Sequence, residues 1–353
     1  MRQRRITQQA FHRDRLEKYA EAMIETAHRT LAGWQAGDDR DIYDEMRQLA
    51  LEIAAGCLFN ADMRRVGTIV REVCRTTASV FENQGSPMWI IDNVLPTPNH
   101  LRFRKAMRQL DKIIYDLVID HQRRRSEFDD LLSMLLAARN ETGAPLDMQQ
   151  LRDELATIFF ASHEAVALVL SWSCYLLARH PNVQSAVVAE LEDVLEGRTS
   201  PCAADLPRLR YTGMVVREAM RLYPPNRSVG REALNDCEIG GYHVPAGTQV
   251  LMSQWIVHRD ARYFDDPEDF KPARWTADFT ERLPKYAYFP FGGGPRICIG
   301  QEFAVMEALL IVAAILRKFQ LSLSGEQIVE PHPVVLLRPG KRIMIKLNDR
   351  EGD

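Results

Sequence analysis

Residues 291–300 read FGGGPRICIG, with three glycines and a proline ahead of a cysteine and a helical pattern starting just after it. Gly292, Gly293 and Gly294 admit backbone geometries closed to other residues. A loop of that kind can bring main-chain N–H groups close to the sulfur of Cys298. The N-terminus of the following helix adds positive potential, which favours thiolate over thiol. Cys298 is thus suited to metal ligation or to nucleophilic attack. A phosphate loop is excluded: the G-x-x-x-x-G-K-S/T pattern is absent, and Ile297 stands where G-x-G-x-x-G needs its third glycine. The other cysteines, Cys57, Cys74, Cys174, Cys202 and Cys237, form no C-x-x-C pair. They read as buried free thiols of a reducing cytosol.

Phe291, Gly294, Arg296, Cys298 and Gly300 match F-x-x-G-x-R-x-C-x-G. On these residues the chain resembles the cytochrome P450 family. The resemblance implies a haem b cofactor (iron protoporphyrin IX) with Cys298 as the metal ligand, an axial thiolate. A thiolate pushes electron density onto iron and favours O–O cleavage. By the same resemblance Phe291 packs beside the sulfur, Arg296 pairs with a haem propionate, and Gly294 and Gly300 shape the cofactor loop.

Further motifs follow in family order. Glu218 and Arg221 form E-x-x-R within REAMRLYPP, three apart and therefore on one helix face. Glu72 and Arg75 match the same pattern and read as a surface pair. DFKPARW resembles the family's P-E-R-F region at Pro272 and Arg274, with Ala273 and Trp275 departing from its commonest form. The resemblance makes Arg274 the third member of a buried structural network with Glu218 and Arg221. A buried charge needs such partners, so losing one is expected to unfold the site. Arg231 in VGREA matches a propionate-binding arginine, and His258 in VHRD is placed nearby, with a satisfied, partly buried histidine as the other reading. Arg4 or Arg5 falls where a W-x-x-x-R helix places another propionate partner, and QQAFH fits the residues that follow. With Arg4 in that role, the tryptophan would fall one place before Met1.

FFASHEAVA, residues 159–167, lies midway along the longest helical pattern, about 147–179. The family usually has A/G-G-x-D/E-T-T/S there. This chain keeps Ala161 and the acid Glu164, but Ser162 replaces glycine, Ala165 replaces the threonine and Val166 the next hydroxyl residue. The usual threonine holds oxygen and water for proton delivery, and alanine cannot. Ser162, the substrate or an ordered water is expected to supply the missing hydrogen bond. Peroxide-driven or O₂-independent chemistry and impaired oxygenation are the competing readings. Glu164 is the candidate proton relay, against a partly solvated helix carboxylate. Ala161 and Ala165 are expected to face the oxygen pocket, with Asn226–Val229 and Val334–Leu337 lining it. Their apolar content implies a hydrophobic small-molecule substrate.

The elements that must position these residues are mostly helical. Apolar spacing predicts helices over about 14–33, 43–58, 62–82, 101–124, 128–138, 147–179, 182–196, 206–223 and 299–318. Short strands are expected near 237–239, 242–244, 249–252, 319–323, 333–337 and 342–346, separated by Gly and Pro turns. The fold class is mainly α with a small β region, in one domain over 1–353. The resemblance makes this a cytochrome P450 fold that is N-terminally incomplete, beginning within an early helix. An open distal pocket and weakened haem retention are expected from that.

The composition of 353 residues, 46% hydrophobic, 26% charged and 8% aromatic, excludes disordered, collagen-like and disulfide-framework chains. A net charge of −3 gives no basic surface for nucleic acid. No run of about 18 apolar residues is present, so no membrane span is expected. The resemblance implies a haem-thiolate monooxygenase inserting one oxygen atom of O₂ into a hydrophobic small molecule. Its electrons would come from a ferredoxin or flavodoxin with its reductase, and its location would be cytoplasmic. The alternative is a haem-binding relative without classical oxygenase activity.

Overall fold

The computed structural model describes residues 4, 7–8, 10–11, 13–61, 72–73, 76, 98–124, 130–138, 143–333 and 336–350. Most of the helix expected over 62–82, with Cys74 and Arg75, lies outside the described residues, as do Arg5 and Val334.

Helix α1 (Arg13–Leu31) buries the apolar stripe Tyr19, Ala20, Met23, Ala27 and Leu31. Strand β1 (Asp39–Asp41) leads into α2 (Ile42–Phe59), capped where the Asp41 side chain accepts from the Tyr43 N–H. Asn60, in the left-handed region at φ 43°, ends α2. Helix α3 (Pro98–Arg123) precedes α4 (Leu131–Ala137), whose start is fixed by Asp130 accepting from Ser133 N–H at 2.8 Å. That cap is why α4 begins later than its apolar pattern suggests. Helix α5 (Met148–Arg179) opens on a capping box between Asp147 and Gln150. Helices α6 (Pro181–Leu195) and α7 (Arg210–Leu222) follow.

Strands β2 (Val229–Glu232), β3 (Cys237–Ile239), β4 (Tyr242–Val244) and β5 (Gln249–Met252) come next. Short helices α8 (Gln254–Val257) and α9 (Ala277–Arg282) precede α10 (Gln301–Lys318). Strands β6 (Phe319–Leu323), β7 (Pro331–Pro333), β8 (Leu337–Pro339) and β9 (Met344–Asp349) complete the described chain. All pairings are antiparallel: a sheet ordered β1-β9-β6, and the pairs β2-β5, β3-β4 and β7-β8. Strand β1 was not expected, because Asp39–Asp41 has no apolar alternation and is made a strand only by its register against Met344–Lys346.

Helix α5 is the axis of the core. It packs against α2, α3, α4, α6, α7, α10 and β6, and every residue from Val166 to Ala178 is buried. A helix apolar on all sides belongs inside a core or a membrane. Among the described residues it alone is long and apolar enough to cross a membrane, and 72% of its apolar window is buried against protein. Its C-terminal half is pinned by Trp172, whose ring stacks on Tyr223 at 4.0 Å and whose indole N–H donates to the Leu337 carbonyl at 3.2 Å. This contact joins α5 to the end of α7 and to β8, the two segments that frame the cavity described below.

The thiol expectation needs correcting. Cys57 and Cys174 are buried, but Cys202 and Cys237 are exposed. Cys237 lies on β3, all of whose residues are exposed. Glu307 of α10 is fully buried with neither carboxylate oxygen hydrogen-bonded, and burial raises its pKa well above the ordinary value.

Candidate active site

Each glycine of the cysteine loop has its own reason to be there. Gly292 and Gly294 have φ of 75° and 68°, a region that side chains disfavour. At Gly293 a Cβ would stand 2.6 Å from the Tyr286 ring. The loop closes on itself where Ile297 N–H donates to Gly294 O and Cys298 N–H to Phe291 O, both at 3.0 Å. Helix α10 starts immediately afterwards, with Ala304 N–H donating to Gly300 O at 2.9 Å. Phe11 lies 3.7 Å from where a Cβ of Gly300 would sit, and packs edge-on against Phe303. The Arg4 guanidinium donates to the Ile297 carbonyl, so the start of the described chain rests on this loop.

The Cys298 side chain is exposed, and it opens onto a cavity. Desolvation by the surrounding walls raises the thiol pKa; a hydrogen bond from Gly300 N–H and the charge of Arg4 oppose it. Contrary to the expectation that the loop and helix favour thiolate, desolvation of the sulfur by the cavity walls outweighs them. A coordinated cation deprotonates a thiol outright and reverses that balance.

Behind the loop lies a hub of buried charge. Glu218 and Arg221, both 0% exposed, face each other in two bonds of 2.9 Å. Arg221 also donates to the carbonyls of His258, Pro267 and Asp269. Arg274 Nε donates to Glu218 at 3.0 Å, and its remaining nitrogens go to Asp265 O and Asp266 O. Trp275, a departure from the family pattern, supplies a further donor: its indole N–H reaches Glu218 at 2.9 Å. Lys271 N–H adds another at 3.1 Å. The carboxylate is saturated by charge-assisted bonds, the condition for burying it.

The hub connects to the loop through His258. Its ring is fully buried against Tyr288, and Nε2 accepts from Phe289 N–H at 2.9 Å. Burial, with the Arg221 charge beside it, pushes its pKa down to about 3, so the ring stays neutral and remains an acceptor. His258 is not on the cavity wall. It holds the chain leading into FGGGPRICIG.

The cavity has a volume of about 730 Å³ and runs between Cys298 and the middle of α5. Ala161, Ser162, Glu164 and Ala165 line it, with Phe103 and Met107 from α3 and Leu336 beside β8. Ser162 Oγ donates to Phe159 O at 3.3 Å. Glu164 is held by three side chains. The Tyr43 hydroxyl donates to Oε1, Arg338 Nε lies 3.1 Å from the same oxygen, and Arg47 Nε lies 3.6 Å from Oε2. Burial first, and Glu164 second, push the Tyr43 phenol upward, so Tyr43 keeps the proton it donates.

A family model of cytochrome P450 matches residues 1–347. The chain belongs to the cytochrome P450 family. This P450 is 36% identical to cyclooctat-9-en-7-ol 5-monooxygenase of Streptomyces melanosporofaciens, covering 90% of this chain and 70% of that protein. It is 33% identical to pentalenene oxygenase of Streptomyces avermitilis, covering 99% of this chain and 78% of that one. Among solved structures it resembles a retinoic-acid-bound cyanobacterial P450, CYP120A1, with TM-score 0.87 and 28% identity over 99% of this chain and 78% of that chain. The helical fold with small sheets is that of the family, its cofactor is haem b, and its reaction class is monooxygenation.

The residues of this P450 fit that cofactor. A lone sulfur opens into a largely apolar space within the ~300–1,000 Å³ typical of ligand and cofactor sites. Among the described residues no group of three or more His, Cys, Asp and Glu is placed to hold a metal ion. One thiol therefore suits a metal whose other ligands come from a macrocycle.

Phe291, Cys298, Gly300, Ser162, Glu164 and Ala165 share the one cavity. Gly294 and Arg296 form the adjoining 3₁₀ turn, and the exposed Arg296 guanidinium makes no bond to the described protein residues. Arg231 is not brought to the cavity wall; it lies exposed on β2 and donates to Gly230 O at 2.7 Å. The residues missed from sequence are Tyr43, Arg47 and Arg338 around Glu164, and Trp275 in the hub. Arg338 lies one place beyond the segment expected to line the pocket.

Proposed function

We propose that this P450 hydroxylates hydrophobic, terpene-like small molecules, with Cys298 as the residue that would ligate its haem iron. The observation that carries the reading is that Cys298 shares one mainly apolar cavity with Ala161 and Ala165 of α5. Relatives named for pentalenene and cyclooctat-9-en-7-ol support the substrate class. In this reading Phe291 covers the sulfur, and Arg4 and Arg296 serve the propionates. His258 positions the loop. Electrons come from a ferredoxin or flavodoxin with its reductase, as the family resemblance implies, in a cytoplasmic setting.

Haem bound through a thiolate supplies the activation of O₂. The chain's own residues bind substrate, exclude water and deliver protons. The apolar walls, Phe103 and Met107 among them, desolvate a hydrocarbon skeleton. Glu164, oriented by the Tyr43 hydroxyl, is the carboxylate on the cavity wall that would pass protons inward when its grip on Arg338 loosens. Ser162 Oγ, whose hydrogen is spent on Phe159 O, keeps lone pairs to accept a bond from water where Ala165 offers none.

Two measurements follow. Titrating the haem-loaded protein with a panel of terpene hydrocarbons and alcohols is expected to shift the haem spin state, and turnover with a redox partner to give hydroxylated product. No shift across the panel would contradict the substrate class. Comparing NAD(P)H consumption with product in the parent and Ala165→Thr should show coupling that differs by less than about threefold, since Ser162 and water replace one hydrogen bond. A parent enzyme inactive with reductant but active with peroxide would overturn that compensation.

A further inference from the structure

We infer that Asn226 selects substrates that carry a hydrogen-bonding oxygen on their apolar skeleton. The inference rests on the monooxygenase reading above and deepens its substrate class. The polar side chains around the cavity are accounted for one by one. Thr157, Ser162 and His163 each bond to a backbone carbonyl of their own helix α5. Glu164 and Arg338 pair with each other. Cys298 belongs to the cofactor. Asn226 lines the same cavity, is exposed, and makes no hydrogen bond to the described protein residues.

Its backbone is clamped on both sides. Leu337 N–H donates to Pro225 O at 2.8 Å, and Arg227 O accepts from Trp255 N–H and Ser253 Oγ, each at 3.2 Å. Pro224 and Pro225 stiffen the approach from α7. The backbone that carries the amide is therefore held before any ligand arrives, which leaves only the side chain to be ordered by a contact. Asparagine offers a carbonyl acceptor and an NH₂ donor, which together match a hydroxyl or a ketone.

An open cavity keeps this amide wet at no cost. A ligand that fills the cavity strips the water away. A pure hydrocarbon then leaves the amide unpaired, whereas an alcohol of the same shape satisfies it. Unpaired buried polar groups are penalised, and sites built this way reject the analogue that lacks the partner. The expected discrimination is about tenfold or more in affinity.

The test uses haem-loaded protein and a matched pair of probes, cedrane and cedrol, which share a tricyclic skeleton without and with a hydroxyl. Dissociation constants come from the spin-state titration. The parent is expected to prefer cedrol about tenfold. Asn226→Leu should cancel the preference by weakening cedrol while cedrane binds as well or better. Asn226→Ser, compared with Asn226→Ala, should keep part of the preference and covers the case in which the leucine variant does not load haem. Equal weakening of both probes by Asn226→Leu, or a preference that survives it, would overturn the role of Asn226 alone. Binding of neither probe to the parent would overturn the terpene-like substrate class, and this inference with it.

Discussion

Glu218→Ala is expected to destabilise the fold by about 3–5 kcal/mol, the range for removing one partner of a buried ion pair. The carboxylate gathers Arg221, Arg274, Trp275 and the Lys271 N–H, and its loss strips both guanidinium groups of their counter-charge and the two N–H groups of their acceptor at once. Domain stability is typically about 5–15 kcal/mol, so the variant should express poorly and carry little haem. Arg221→Lys should fall in the same direction, because an ammonium cannot span Glu218 and the carbonyls of His258, Pro267 and Asp269. Urea unfolding midpoints and haem content after purification measure both. A shift in Glu218→Ala worth less than about 1 kcal/mol would mean that this hub does not hold the loop.

Cys298→Ser is expected to do the opposite: leave the fold and remove the chemistry. The residue is exposed, and its backbone bond to Phe291 does not depend on the side chain. The urea midpoint of the haem-free protein should therefore stay within about 0.5 kcal/mol of the parent, as for surface substitutions. Monooxygenase turnover should fall by more than the ~10–100-fold typical of losing an outer-shell metal partner, because the ligand itself is gone. Preserved turnover would reassign the ligand. A collapse of the haem-free fold would make Cys298 a structural residue. Together the two variants separate the residues that build the loop from the atom the loop presents.

What could be read from the chain differs with the range of the interaction. The cysteine loop was legible because three adjacent glycines and a following helix start are local demands, and the geometry at Gly292, Gly293 and Gly294 explains each one. Glu218 and Arg221 were legible as one helix face, and Arg274 through the family pattern. The donor from Trp275 was not, because a departure from a motif says nothing about the bond that replaces it. The surroundings of Glu164 were hidden for another reason. Tyr43 and Arg47 arrive on α2 and Arg338 on β8, far away in sequence, and no periodicity encodes such a meeting. Short elements behaved likewise: β1 is polar throughout and exists through its pairing with β9. His258 was legible as a residue near the site, but not as the acceptor that fixes Phe289.

The proposed chemistry requires Cys298 as the haem ligand, and the spectrum of the reduced, CO-bound protein tests that directly. Haem-loaded protein should show a Soret band red-shifted as thiolate ligation requires, and the shift should vanish in Cys298→Ser. A parent spectrum without the red shift, or a shift that persists in Cys298→Ser, would contradict it.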